Sequence, residues 1–265
     1  MQKGMLQRYL EIEQEHWWFT ARREIILSLM ARWVPPGGRI LDVGCGTGYL
    51  LKAASEKWDV WGIDTAPEAV TFCRSRGLER VQAGSMETLD PAQLPRFDAV
   101  CFFDVLEHLD DDVAALRTAA SLLTDRGVVL ATVPAYQWLW SSHDVRNHHR
   151  RRYTGTLLNR TLNQAGLSPA LLGYFNSRLF PLAMVDRVFK RLIPNYDREL
   201  LPVPPRPLNN WLRRVLLSEN ARLTGAEPRT FRFGLSIMTV ARLAQGSTRA
   251  TGPAESEAVS RTSRR

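Results

Sequence analysis

The chain has 265 residues, 45% of them hydrophobic and 23% charged, and a formal net charge of +8. This composition excludes a wholly disordered chain, a collagen-like repeat and a disulfide-stapled mini-protein, and the length suffices for one large domain with a buried core. Cys45, Cys73 and Cys101 fit neither a disulfide framework nor a zinc-ribbon spacing and suggest a reducing compartment; the basic balance suits nucleic acid, an anionic lipid surface or a phosphorylated substrate, or serves solubility alone.

Residues 5–33 read as one or two helices, with Leu6, Leu10, Trp17, Trp18, Ile25, Ile26, Leu29 and Trp33 on apolar positions. The first residues lack the apolar core of a secretory signal, and no run of 18 uncharged apolar residues occurs, so no spanning helix is expected. Pro35-Pro36-Gly37-Gly38 stops the helical pattern. Arg39–Val43 predicts a buried parallel strand, Gly44–Gly48 a glycine turn, and Tyr49–Lys57 a helix. Val60–Ile63 predicts a second strand ending at Asp64, and a helix opens at Pro67 and runs to Gly77. Arg80–Ala83 is a weak third strand, Phe97–Phe103 a strong fourth, Asp111–Leu123 a helix, and Gly127–Val133 a fifth strand. This alternation predicts an α/β fold, a parallel sheet covered on both faces.

The second half is less regular. Residues 134–153 are aromatic and basic. Thr154–Ala165 predicts a helix, Pro169–Phe175 a strand, and Asn176–Ile193 a basic amphipathic helix. The segment Pro194–Pro207 holds five prolines. Asn209–Leu223 predicts a helix and Phe231–Leu243 a last strand. The basic tail, residues 244–265, lacks aromatics and reads as disordered.

Ile40-Leu41-Asp42-Val43-Gly44-Cys45-Gly46-Thr47-Gly48 carries the chemistry. A strand runs into glycines at alternate positions and then into a helix. Gly44 and Gly46 let backbone approach a ligand, and Gly48 permits tight strand–helix packing. Twenty residues past Gly44 stands Asp64, placed to accept both hydroxyls of an adenosine ribose. The spacing departs from the dinucleotide fingerprint. Asp42 inside the strand is costly unless it meets a cation or turn amides, and a ligand ammonium would satisfy it. The pocket therefore suits an adenosine with an amino-acid tail.

Asp42–Gly48, Asp64 and Phe103-Asp104-Val105-Leu106-Glu107-His108 together resemble the class I S-adenosylmethionine-dependent methyltransferases. The resemblance covers roughly residues 20–175. It implies a Rossmann-like, seven-stranded, mostly parallel sheet with helices on both faces. Residues 231–241 would form its antiparallel edge strand, after a helical insertion at 176–228. It also implies S-adenosylmethionine as cofactor, with Gly44, Cys45, Gly46 and Gly48 lining the methionine and ribose, Asp42 facing the ammonium group, and Asp64 and Thr65 beside the ribose. Ser85 stands where the family commonly places an aspartate against adenine; Met86 packing is the expected substitute. Phe103 would lie beneath the methyl group. Trp17-Trp18, Arg22-Arg23, Val105–His108 and His143-Asp144 further resemble the ubiquinone-biosynthesis O-methyltransferases. That likeness places an arginine on the cofactor carboxylate, Arg23 before Arg22. Residues 1–34 would form a helical lid.

Methyl transfer mainly needs alignment, plus a base for a hydroxyl, amine or acidic-carbon acceptor. His143, His148 and His149 are the candidates, with His143 and His149 favoured; alternatively they order the loop by bonding Asp144 or backbone. Asp104, Glu107 and His108 have a spacing that suits a divalent cation, but Leu-Glu-His is common in metal-free members, so no metal is expected. Trp17, Tyr136, Trp140, Arg152 and Tyr153 are expected to bind acceptor. Arg146, Arg150, Arg151 and Arg152 suit an anionic group or form a solvated basic loop. The leading expectation is methylation, on oxygen, of a small or lipid-like acceptor, an anionic one included, by a cytoplasmic protein; the basic helix is expected to face the core on one side or, as the second reading, to contact the inner face of the membrane or line a lipid-like substrate pocket. RNA methylation is the alternative, disfavoured by the absence of an RNA-binding appendage. A non-catalytic cofactor-binding scaffold ranks third.

Overall fold

A computed structural model describes residues 5–185 and 202–245. Two helices, α1 (Met5–Ile12) and α2 (Trp17–Trp33), precede the sheet. They part at residues 13–16, where His16 caps α2 by accepting from the Trp18 N–H at 3.2 Å. Alternation then builds β1 (Arg39–Val43), α3 (Tyr49–Ala54), β2 (Asp59–Asp64), α4 (Pro67–Ser75), β3 (Val81–Ala83), β4 (Phe97–Phe103), α5 (Asp112–Leu122) and β5 (Leu123–Pro134). A short α6 (Ser142–Arg146), α7 (Gly155–Gln164), β6 (Leu167–Phe175), two helices at Arg206–Leu217 and Asn220–Thr224, and β7 (Ser236–Leu243) complete it.

The strand order is β3-β2-β1-β4-β5-β7-β6. β1 to β5 pair parallel, and β7 pairs antiparallel with both β5 and β6. The last strand is therefore interior, and β6 takes the edge expected for it. Burial explains the exchange. Ile237, Met238 and Val240 of β7 are inaccessible, whereas β6 carries Pro169 at a register shift and keeps partly exposed positions. Proline is tolerated on an edge, where a missing N–H breaks no ladder.

Alternate side chains of the central strands feed two cores. Leu41, Val43, Val100, Phe102, Val129 and Val133 pack with α5 and α7. Ile40, Ala99, Cys101, Val128 and Leu130 pack with Ile25, Ile26 and Leu29 of α2 and with Leu212 and Leu216. Each fully buried aliphatic chain contributes about 1.5–3 kcal/mol.

Two boundaries differ from expectation. β5 starts at Leu123 because Thr124–Arg126 continue the strand through a register shift between Phe97 and Ala99, where the sequence shows a turn. The helix expected over Asn209–Leu223 starts at Arg206 and breaks at Ser218-Glu219. There Glu219 turns inward, fully buried, and accepts the backbone N–H groups of Asn176, Ser177 and Arg178 at 2.7, 2.8 and 2.7 Å. Of the amphipathic helix expected at 176–193, residues 180–185 are helical. The rest of it, much of the proline-rich segment and the tail from 246 lie outside the described residues. Glu219→Ala strands three backbone donors, two of them buried, and its expected effect is a loss of about 3 kcal/mol in urea unfolding.

Candidate active site

The glycine turn follows β1 at the carboxyl ends of the parallel strands, where ligand crevices of open α/β sheets form. Gly44, Gly46 and Gly48 take φ of +72°, +54° and +74°. Two of them have no room for a side chain: a Cβ on Gly44 would stand 2.7 Å from Val105, and one on Gly48 would stand 2.8 Å from the Cys73 sulfur. Gly46 differs, its nearest neighbour being Leu6 Cδ2 at 3.9 Å. It is the glycine whose backbone a ligand can approach. Asp64 fixes the turn from β2, accepting from the Gly46 and Ala66 N–H groups at 2.9 Å each.

Asp42 is buried beneath this turn. Burial, and then repulsion from Asp64, push its carboxyl up to about 7, against the attraction of Arg22. Arg22 projects from α2, pairs with Asp104 at 2.8 Å, donates to Thr132 Oγ1 and lies 6.0 Å from the Trp18 ring. Thr132 in turn donates to Asp104 at 3.1 Å. Arg23, the arginine ranked first for the cofactor carboxylate, instead stacks 4.1 Å over Tyr49.

The α1 helix roofs the crevice. Leu6 lies over Gly46. Glu13 is buried and accepts from Thr47 Oγ1 and Arg76. Burial raises the Glu13 pKa, while those two partners act to lower it. At the other side Tyr9 donates to Asn147 at 3.3 Å, and burial plus the nearby Asp104 charge push its hydroxyl up to about 12.

The wall opposite is the segment after β5. Asp144 is its hub, fully buried and bonded to Ser141, His149 and Arg152. Ser141 and Asp144 form a capping box that opens α6. Of the three histidines, His143 engages Asn147 through Nε2 at 3.0 Å, and burial lowers it to about 4. His148 is exposed at φ +56°. His149 gives Nδ1 to Asp144 at 2.8 Å and lies edge-on to His108, ring centroids 4.7 Å apart. One nitrogen or oxygen each from Glu107, His108 and His149 come within 4.8 Å of one another. Neither carboxyl oxygen of the buried Glu107 has a partner among the described residues.

Several expected acceptor contacts serve the scaffold instead. Tyr153 is inaccessible and bonds Asp112 at 2.6 Å. Arg152 is buried, forked on Asp144 and bonded to the Ala135 carbonyl. Arg150 pairs with Asp110 and Arg151 with Asp112. Spacing showed the cations; it could not show which carboxylates the fold brings to them. Tyr136, at φ +59°, stacks on Tyr174 with centroids 5.1 Å apart, and Trp138 stacks on Tyr136 at 5.5 Å. Trp140 is half-buried, and Trp17 packs against the α2-side core. Phe103 is partly buried at the end of β4, Met86 is buried in the other core, Ser85 is half-exposed with its N–H on Thr88, and Thr65 is exposed.

The chain is similar to known proteins over this region. A family described as a methyltransferase domain matches residues 15–171. The ubiquinone biosynthesis O-methyltransferase of Xanthomonas campestris pv. campestris (strain B100) is 43% identical over 107 residues, covering 37% of this chain and 44% of that one. The protein of the same description from Xylella fastidiosa is 38% identical over 116 residues, 40% and 46% of the two chains. The chain thus spans less than half the length of these relatives. Among solved structures, an S-adenosylmethionine-dependent methyltransferase from Clostridium acetobutylicum has a TM-score of 0.57 at 13% identity, over 90% of this chain and 97% of that one. A geranyl diphosphate methyltransferase in complex with S-adenosylmethionine has a TM-score of 0.56 at 14% identity, over 92% of both. Identities this low concern the fold.

Sheet order and glycine turn define a class I S-adenosylmethionine-dependent methyltransferase domain. The chain belongs to the methyltransferase-domain family. The residues present fit S-adenosylmethionine: burial raises the Asp42 carboxyl, which a ligand cation would relieve, and Gly46 leaves the space a side chain would fill.

Asp42 also makes stability depend on pH. Its folded pKa lies above the unfolded value near 3.9. Between pH 4 and about 7 the folded state holds the extra proton, so stability falls as pH rises through that window. Asp42→Asn is expected to stabilise the free protein at pH 8, by on the order of 1–3 kcal/mol, with the gain fading to nothing near pH 4. Thermal unfolding across that range measures it.

Proposed function

We propose that this chain transfers a methyl group from S-adenosylmethionine to an oxygen of a small or lipid-like acceptor. The observation that carries the reading is the acidic crevice over the Gly46 approach, faced by a histidine-bearing wall. The printed activity of the O-methyltransferase relatives supports the choice of oxygen. Bound, the cofactor supplies a methyl group on a positively charged sulfur. Asp42 balances the ammonium charge, Asp64 uses its remaining lone pairs on the ribose hydroxyls, and Arg22 replaces Arg23 as the anchor of the carboxylate. The α1 helix excludes water from above the turn, as the lid expected for residues 1–34 would. Of the three histidines, His149 is the base.

An anionic acceptor loses support, since Arg150, Arg151 and Arg152 are each matched by a carboxylate. The same pairing weakens the RNA alternative. Among the described residues no helix is long and apolar enough to cross a membrane.

Labelled S-adenosylmethionine and a panel of catechols, short and long-alkyl, test the reading: a product heavier by one methylene is expected, and none across the panel counts against it. Asp64→Ala is expected to weaken S-adenosylhomocysteine binding by about 1–3 kcal/mol in calorimetry, the scale for losing a charged acceptor. Glu13→Ala unlatches α1, and stopped-flow is expected to show S-adenosylhomocysteine leaving about tenfold faster, about 1.4 kcal/mol in the release barrier.

A further inference from the structure

We infer that Asp144 is a positioning residue that fixes His149 as the proton acceptor of this site, an inference that rests on the oxygen-acceptor reading above.

The Asp144 carboxylate collects five bonds: from Ser141 N at 2.8 Å, Ser141 Oγ at 3.1 Å, Arg152 Nε at 2.7 Å, Arg152 Nη2 at 3.0 Å and His149 Nδ1 at 2.8 Å. Four of them hold the carboxylate still. Arg152 reaches on to the Ala135 carbonyl at 3.1 Å, just past β5, so its place is referenced to the sheet. The fifth bond is not needed for the turn, because the His149 N–H already closes it on the Asp144 carbonyl at 2.9 Å. What the fifth bond sets is the ring. Although burial opposes its charge, Asp144 is held well below the usual carboxylate range by His149, Arg152 and the Ser141 N–H. A carboxylate only accepts, so Nδ1 carries the hydrogen and Nε2 carries the lone pair.

The location suits the role. The next residue, Arg150, bonds the Glu107 carbonyl through its N–H at 2.7 Å, which docks the histidine against the loop after β4. Asn147, on the same turn, meets Tyr9 of the α1 roof. The groups facing His149 are Asp144, His143 and Arg152 from its own segment and Glu107 and His108 from the loop after β4. Burial lowers both His108 and His143 to about 4, so neither competes as a base near neutrality. In the step, the acceptor O–H bond breaks and its proton passes to His149 Nε2. The oxygen's electron pair forms the new C–O bond, and the electrons of the broken C–S bond stay on sulfur. Positive charge moves from sulfur to imidazole, where Asp144 meets it without taking the proton.

The test uses the full chain with Asp144→Asn and His149→Gln. The second variant leaves the other four bonds of Asp144 in place. Nitrogen-15 NMR of the parent is expected to show His149 protonated on Nδ1 when neutral; Asp144→Asn is expected to mix the tautomers. Both variants are expected to bind S-adenosylhomocysteine within twofold of the parent. With labelled S-adenosylmethionine, kcat on catechol is expected to fall about 100-fold in both variants with KM within threefold, and on the more acidic 4-nitrocatechol only about tenfold. Equal losses on the two phenols, an unchanged His149 tautomer in Asp144→Asn, or lost S-adenosylhomocysteine binding in His149→Gln would overturn the inference. So would stoichiometric zinc binding by the parent that His149→Gln abolishes, which makes His149 a ligand instead. If the parent binds S-adenosylhomocysteine but methylates neither phenol, the oxygen-acceptor reading falls, while the NMR tautomer assignment still decides the pairing.

Discussion

The structure depends on the turn after β1 being held open. Three consecutive alternate residues sit at positive φ, which only glycine adopts without strain. Val105 and Cys73 crowd two of them from opposite sides, and Asp64 ties the middle one to β2. Any side chain at 44 or 48 would push the turn off its neighbours. The backbone is thereby presented at the mouth of the sheet, with room for a side chain left at Gly46. Everything else at the site is arranged around that exposure: Asp42 beneath, α1 above, Arg22 and Asp104 alongside.

The buried carboxylates divide into two groups by how fully they are bonded. Asp144 has five donors, Glu219 three backbone N–H groups, and Glu13 a hydroxyl and a guanidinium. These acids hold loops and helices together, and their desolvation is offset by the bonds they accept. Glu107 is buried without such compensation among the described residues, and burial pushes the Asp42 carboxyl up to about 7. A fold pays that cost where a ligand or a reaction recovers it. Asp42 lies near the carboxyl end of β1 and Glu107 in the loop after β4, and the Arg22 charge acts to lower both.

How far the sequence revealed this follows from the range of each interaction. Arg39–Val43, the glycine turn and Asp64 were legible because strand, turn and acid are local or one unit apart. The same holds for Phe97–Phe103 and for the paired-helix start of the chain. The interior place of β7 was not legible, since strand order depends on which edge accepts a returning chain, and that is decided by burial across the sheet. The arginines after residue 149 misled for a related reason: they look like a free basic loop until Asp110, Asp112 and Asp144 are brought to them. Arg22 and Arg23 are adjacent and chemically identical, so only the rotation of α2 could tell which one enters the crevice.

That rotation and the α1 roof couple the two halves of the site. One end of the roof is latched by Glu13 to Thr47 in the glycine turn and to Arg76, at the end of α4. Its middle is joined through Tyr9 to Asn147, on the wall that carries His149. Asn209 secures the junction behind it, accepting from the Trp17 N–H and donating to the Glu15 carbonyl. A helix of eight residues has little stability of its own. It stays in place because both sides of the crevice hold it, so displacement of either side loosens the other. The glycine turn and the wall after β5 are therefore held by the same set of contacts.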